Sequence, residues 1–139
     1  MQNYDYRWTS TIMTENEIGK IVINASIKIH KALGPGLLES VYEIVLAYEL
    51  TKCDLQVSRQ VPIAINYCNI TLDEGFRADI IVENSVILEL KAVENIMPVH
   101  KKQLQTYLKL TGCKLGYLLN FNEELMKYGI TRCVNHLEE

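Results

Sequence analysis

Two short stretches of this sequence hold side chains whose types and spacing could do chemistry: Arg77-Ala78-Asp79 and, a little further on, Leu88-Glu89-Leu90-Lys91. On a strand Glu89 and Lys91 share a face, because side chains alternate with a period of two. Glu83-Asn84-Ser85 reads as a three-residue hairpin loop that pairs Val82 with Val86 and so sets Asp79 opposite Glu89. Two carboxylates at a cross-strand separation of about 5 Å repel one another unless a cation lies between them. A magnesium site takes one or two carboxylates of this kind and keeps several waters. Lys91 beside them brings a charge that can orient a water or stabilise an anionic transition state. The plainer alternative is a solvated hairpin face on which Glu89 and Lys91 merely pair. Against it stands the rest of the strand, Val86-Ile87-Leu88 and Leu90, which suits the middle of a sheet, where a charge is costly unless it serves a site.

Further candidates lie on two helices. Glu39, Tyr42, Glu43 and Leu46 follow the i, i+3, i+4, i+7 pattern of one helix face, although an acidic residue at a helix start is favoured by the dipole in any case. Gln103 and Tyr107 are one turn apart, with His100 one turn earlier, so all three can face one cleft; alternatively Tyr107 is a core residue and Gln103 its surface neighbour. Lys101, Lys102 and Lys109 add charge that could follow a phosphate backbone or simply solvate a helix face. His30 falls late in the first helix and reads as structural.

The elements that must position these residues are legible in the periodicity. Thr14 and Glu17 form a capping-box pattern ahead of Ile18, Ile21, Val22, Ala25, Ile29, Ala32 and Leu33, which predicts a helix over 15–33 closed by Gly34-Pro35-Gly36. A second helix is expected from Leu37 to Lys52, with Leu38, Val41, Val45 and Tyr48 on its apolar stripe. Val57, Val61, Ile63, Ile65 and Tyr67 then alternate as a strand, and Pro62 points to a sheet edge or a bulge. Asp73-Glu74-Gly75 reads as a turn before two strands, Phe76 to Val82 and Val86 to Lys91. A helix over 99–111 ends at Gly112, a strand runs from Leu115 to Asn120, and Ile130 to Val134 offers one more. The order ααβββαβ, with a final β, predicts an α/β fold around a mixed sheet. Residues 1–12 read as a loose extension and 13–139 as one domain.

Composition sets the outer bounds. The chain has 139 residues, 48% of them hydrophobic and 22% charged, enough for one domain with its own core. Its net charge of -3 provides no general basic field, so nucleic acid would have to be held by a local patch or by bound cations. No apolar run approaches the roughly 20 residues of a membrane-spanning helix. Cys53, Cys68, Cys113 and Cys133 have no metal-ligand spacing, and the first residues lack the apolar core of a signal peptide. The four read as reduced, mostly buried thiols of a cytoplasmic protein.

Taken together, these motifs resemble those of the GxxExxY proteins of the PD-(D/E)xK nuclease superfamily. The naming motif stands as Gly36-Leu37-Leu38-Glu39-Ser40-Val41-Tyr42, and the superfamily's Asp…Glu-x-Lys signature as Asp79, Glu89 and Lys91. Gln103-Leu104-Gln105-Thr106-Tyr107 is similar to the Gln-x-x-x-Tyr motif of the RecB-like branch, while Ala78-Asp79 replaces the usual Pro-Asp. The resemblance runs from about Met13 to Val134. It implies a restriction-endonuclease-like mixed sheet flanked by helices. Asp79, Glu89 and the Leu90 backbone carbonyl would hold one or two Mg2+ or Mn2+ ions, with Glu39 as a further candidate ligand. Lys91, Glu39, Gln103 and Tyr107 would be the catalytic set of a nuclease acting on nucleic acid, DNA above RNA. The alternative is a non-catalytic module of the same fold that binds nucleic acid or a protein partner.

Overall fold

Thr14 starts the first helix as its spacing predicts. Its hydroxyl accepts the Glu17 amide at 3.1 Å, while the Glu17 carboxylate accepts the Thr14 amide at 2.9 Å. These bonds satisfy two of the amides that a helix start leaves without partners. The structure, a computed structural model, describes residues 13–138, and the extension expected over residues 1–12 lies outside them. Helix α1 spans Glu15–Leu33 and ends where Gly34, at φ 70, returns its amide to the His30 carbonyl. Helix α2, Glu39–Lys52, begins two residues later than expected because Leu38 is extended and serves as its N-cap.

The stripe expected on α2 is corrected. Leu38 is 73% exposed and Tyr48 61%, and the buried face is Tyr42, Glu43, Leu46, Ala47 and Leu50. This helix is apolar on almost every side, so periodicity allows two solutions. Tyr42 decides between them: its ring stacks on Phe121 with centroids 4.4 Å apart, and its hydroxyl donates to the Gly34 carbonyl while accepting the Leu37 amide.

Five strands follow: β1 (Val57–Tyr67), β2 (Ile70–Val82), β3 (Val86–Lys91), β4 (Leu115–Asn120) and β5 (Ile130–Val134). They lie side by side in chain order, antiparallel except for β3 and β4, which are parallel and joined across one face by helix α3, Pro98–Thr111. β1 is an edge, where Pro62 costs no ladder bond. The turn expected at Asp73-Glu74-Gly75 is also corrected, since β2 runs straight through it. The chain reverses instead at Cys68-Asn69, with Cys68 at φ 52. Between the pairs Ile63↔Phe76 and Ile65↔Leu72 the register shifts, so the Asp-Glu-Gly segment is absorbed as a bulge.

Two apolar layers result. Helices α1 and α2 cover one face of the sheet over Ile80, Val82, Leu88, Leu90, Tyr117 and Leu119. Helix α3 covers the other with Leu104, Tyr107 and Leu108 over Ile81, Ile87 and Leu118. It lies close to β4 at Gly116, where an added Cβ would come within 3.0 Å of Leu104. This is the α/β fold around a mixed sheet flanked by helices that the element order predicts. All four cysteines are free, but Cys53 and Cys68 are exposed and Cys133 is half-buried, leaving only Cys113 buried and correcting the expectation for the thiols. No helix among the described residues is long and apolar enough to cross a membrane.

Candidate metal and nucleic-acid site

The site arises where two strands part. β2 and β3 pair through Val82↔Val86, Ile81↔Ile87 and Ile80↔Leu88, and their loop carries Glu83 and Asn84 at positive φ. One step beyond the last pair, side chains take over from the ladder. The Asp79 amide donates to Glu89 Oε2 at 2.9 Å, and the Leu90 amide donates to Asp79 Oδ2 at 2.8 Å. Each carboxylate is therefore held by the backbone of the opposite strand, and Asp79 faces Glu89 as the hairpin count implies.

Both carboxyls sit where charge is unfavourable. Glu89 is 4% exposed, and burial, helped by the charge of Asp79, pushes its carboxyl up to about 8. Burial also raises Asp79; the Leu90 amide opposes that rise, and the nearby charges of Glu43 and Glu39 add to it. Among the described residues no Lys or Arg nitrogen lies within ion-pair distance of either carboxylate. Nor do three His, Cys, Asp or Glu side chains gather closely enough to form a complete ion cage. A buried and a half-buried carboxylate, with the charge of Lys91 near but outside ion-pair distance, suit a hard divalent ion that completes its shell with water and backbone oxygen.

A cleft of about 550 Å³ opens beside them, lined by Leu37, Leu38, Glu39, Ser40, Glu43, Gln60, Asp79 and Ala92. Glu39 stands in the first turn of α2, and its Oε2 accepts the Ala92 amide at 3.1 Å, tying the helix to the chain just past Lys91. Glu43 and Gln60 are residues that sequence reasoning did not assign to the site. Glu43 is buried and clamped from two sides, by Arg59 Nε at 2.9 Å and Gln60 Nε2 at 2.7 Å. The available signal was its position one turn after Glu39. Gln60 has no such signal, because its place depends on a left-handed φ of 52 within β1.

The remaining candidates sit around this centre. Leu90 lies between Glu89 and Lys91 in the ladder with β4, and the half-buried Lys91 accepts the Phe121 amide on its carbonyl at 2.9 Å. Tyr107 does not line the cleft. It is 3% exposed, edge-on to Phe76 at 5.2 Å, and burial together with the Glu89 charge lifts its hydroxyl to about 12. Gln103 is half-buried one turn earlier. His100 accepts the Met97 amide on Nδ1 at 3.0 Å and so caps α3. His30 is structural, as expected: buried, 2.7 Å from the Glu123 carbonyl and stacked on Phe121.

Compared with known families, the chain matches the model of the PD-(D/E)XK nuclease superfamily over residues 16–133. No curated protein and no solved structure matches the chain.

Proposed function

The chain belongs to the PD-(D/E)XK nuclease superfamily, and from that premise we propose that it is a divalent-metal-dependent nuclease that hydrolyses phosphodiester bonds, with DNA as the first substrate to test. The observation that carries this reading is that buried Glu89 and half-buried Asp79 face each other with no Lys or Arg nitrogen within ion-pair distance among the described residues. A pure binding surface gains nothing from two such carboxylates. The finer kinship with GxxExxY proteins rests on Gly36 at φ 104, Glu39 in the first turn of α2 and Tyr42 locked against Phe121.

In this reading Asp79, Glu89 and the Leu90 carbonyl would hold one or two Mg2+ or Mn2+ ions, with Glu39 as the further candidate. When bound, the ion supplies a water of lowered pKa and a positive charge against the phosphate. The chain's own residues do the positioning. The Leu90 and Asp79 amides fix the two carboxylates, and Glu39 braces the segment after Lys91. Lys91, two residues from Glu89 on the same strand, would orient the water and face the charge that develops on phosphate. Gln103 and Tyr107 would support the site from α3, Tyr107 from within the core where its ring meets Phe76. The exposed free thiols Cys53 and Cys68 suit a reducing, cytoplasmic setting, and we treat 13–139 as one nuclease domain.

The test is a Mg2+ and Mn2+ titration against labelled single- and double-stranded DNA and RNA, with calorimetry of the same ions. Lys91→Ala should lower turnover at least 100-fold, on the order of a lost general catalyst, with metal affinity little changed. Asp79→Ala should weaken metal binding itself. Tight metal binding without cleavage of any nucleic acid would favour the non-catalytic module, which the net charge of -3 also suits.

A further inference from the structure

β2 touches β3 only through Ile80–Val82, so beyond Asp79 the strands β1 and β2 run on as a two-stranded ribbon. Its register places Ile63 beside Phe76, Ile65 beside Leu72 and Tyr67 beside Ile70. Directly paired residues share a face, and so do residues two apart along β1, which puts all six on one side. The other side carries Asn66 and Thr71, joined by a 2.9 Å hydrogen bond. Helix α3 covers the inner end of the apolar face, where Ile63 is buried and Phe76 meets Tyr107. The outer end is uncovered: Leu72 is 48% exposed, Ile70 55% and Tyr67 68%. An isolated hairpin is marginal in water, and a continuous exposed apolar strip marks an interaction surface.

Charge selects the occupant. Arg77 lies at the inner end of the ribbon, but between Gln60 and Phe76 the only charged residues are Asp73 and Glu74, so the outer part has no cation with which to hold nucleic acid or an anionic lipid surface. Its complement is the start of α3. Met97 and Val99 are exposed there, Lys101 and Lys102 follow them one turn on, and no acidic residue occurs from Pro98 to Thr111. Within one chain α3 already covers the inner end of this face. The same helix of a second copy presents apolar and basic groups to the apolar and acidic outer end.

We infer that the β1–β2 ribbon is a dimerisation arm whose outer face packs on the start of α3 of a second copy of this chain, reciprocally about a two-fold axis. The arm contains none of the residues proposed for metal or catalysis, so this inference stands apart from the nuclease reading.

Sedimentation velocity of the full chain over a concentration series tests it. The wild type should associate to a dimer. Ile70→Lys with Leu72→Lys should leave a folded monomer, because both positions are exposed in the single chain, and its melting temperature should no longer depend on concentration. Asp73→Lys with Glu74→Lys should raise the dissociation constant about tenfold or more, as should Lys101→Glu with Lys102→Glu, and combining the two charge reversals should restore dimerisation. A wild type that stays monomeric to about 100 μM, far weaker than specific interfaces, would overturn the inference. So would a dimer that survives the arm substitutions, or charge reversals that fail to rescue each other.

Discussion

Glu89 is the residue on which burial and charge bear hardest, and its titration can be followed as stability. An unfolded Glu ionises near 4.5, whereas the folded carboxyl is pushed up to about 8, first by burial and then by Asp79. Below 4.5 both states hold the proton and folding pays nothing for it. As pH rises through 8 the folded chain must bury a charge, and that stability is lost. Glu89→Gln should therefore raise the melting temperature in chelator, slightly at pH 5 and much more at pH 8, where on the order of a few kcal/mol is at stake. Mg2+ should stabilise the wild type at pH 8 and leave the variant nearly unmoved, because a ligand stabilises only the state that binds it. Melting curves that rise equally at both pH values would show that Glu89 is not under this strain. The meeting of Asp79 and Glu89 was legible because it follows from counting three loop residues. The clamp on Glu43 was not, since it needs Gln60 in a backbone region that no propensity assigns to glutamine.

At the scale of elements, the boundaries with local chemistry could be read directly. Thr14 and Glu17 cap α1 within four residues of sequence, and Thr14→Ala should cost about 1 kcal/mol, read as a lower denaturant midpoint with unchanged slope. A variant as stable as the wild type would show that α1 is held by packing alone. Elements whose form is fixed by distant partners were misread. Helix α2 has apolar residues on both candidate faces, and Phe121, far along the chain, selects the face carrying Tyr42. Asp73-Glu74-Gly75 has the composition of a turn yet forms a bulge, because β1 supplies a partner strand on which the extra residues can be accommodated.

For the whole molecule, thiol accessibility offers a map of the fold that is independent of activity. Cys53 at the end of α2 and Cys68 at the ribbon's tip are exposed, whereas burial raises the thiols of Cys113 and Cys133. A thiol reagent should label Cys53 and Cys68 quickly in the native protein and reach the other two only on unfolding. Equal rates for all four would mean that the α3 side of the sheet is not closed.

The spatial order of the strands also bears on how the chain is made. Because β1 to β5 lie in the order in which they occur in the sequence, each new strand adds to the open edge of those already formed. No strand has to be threaded between two that have paired, and the one crossover is spanned by the short α3 segment. Sheet assembly can therefore keep pace with synthesis from the N-terminus, each pairing closing as its partner leaves the ribosome, with little need to undo early contacts.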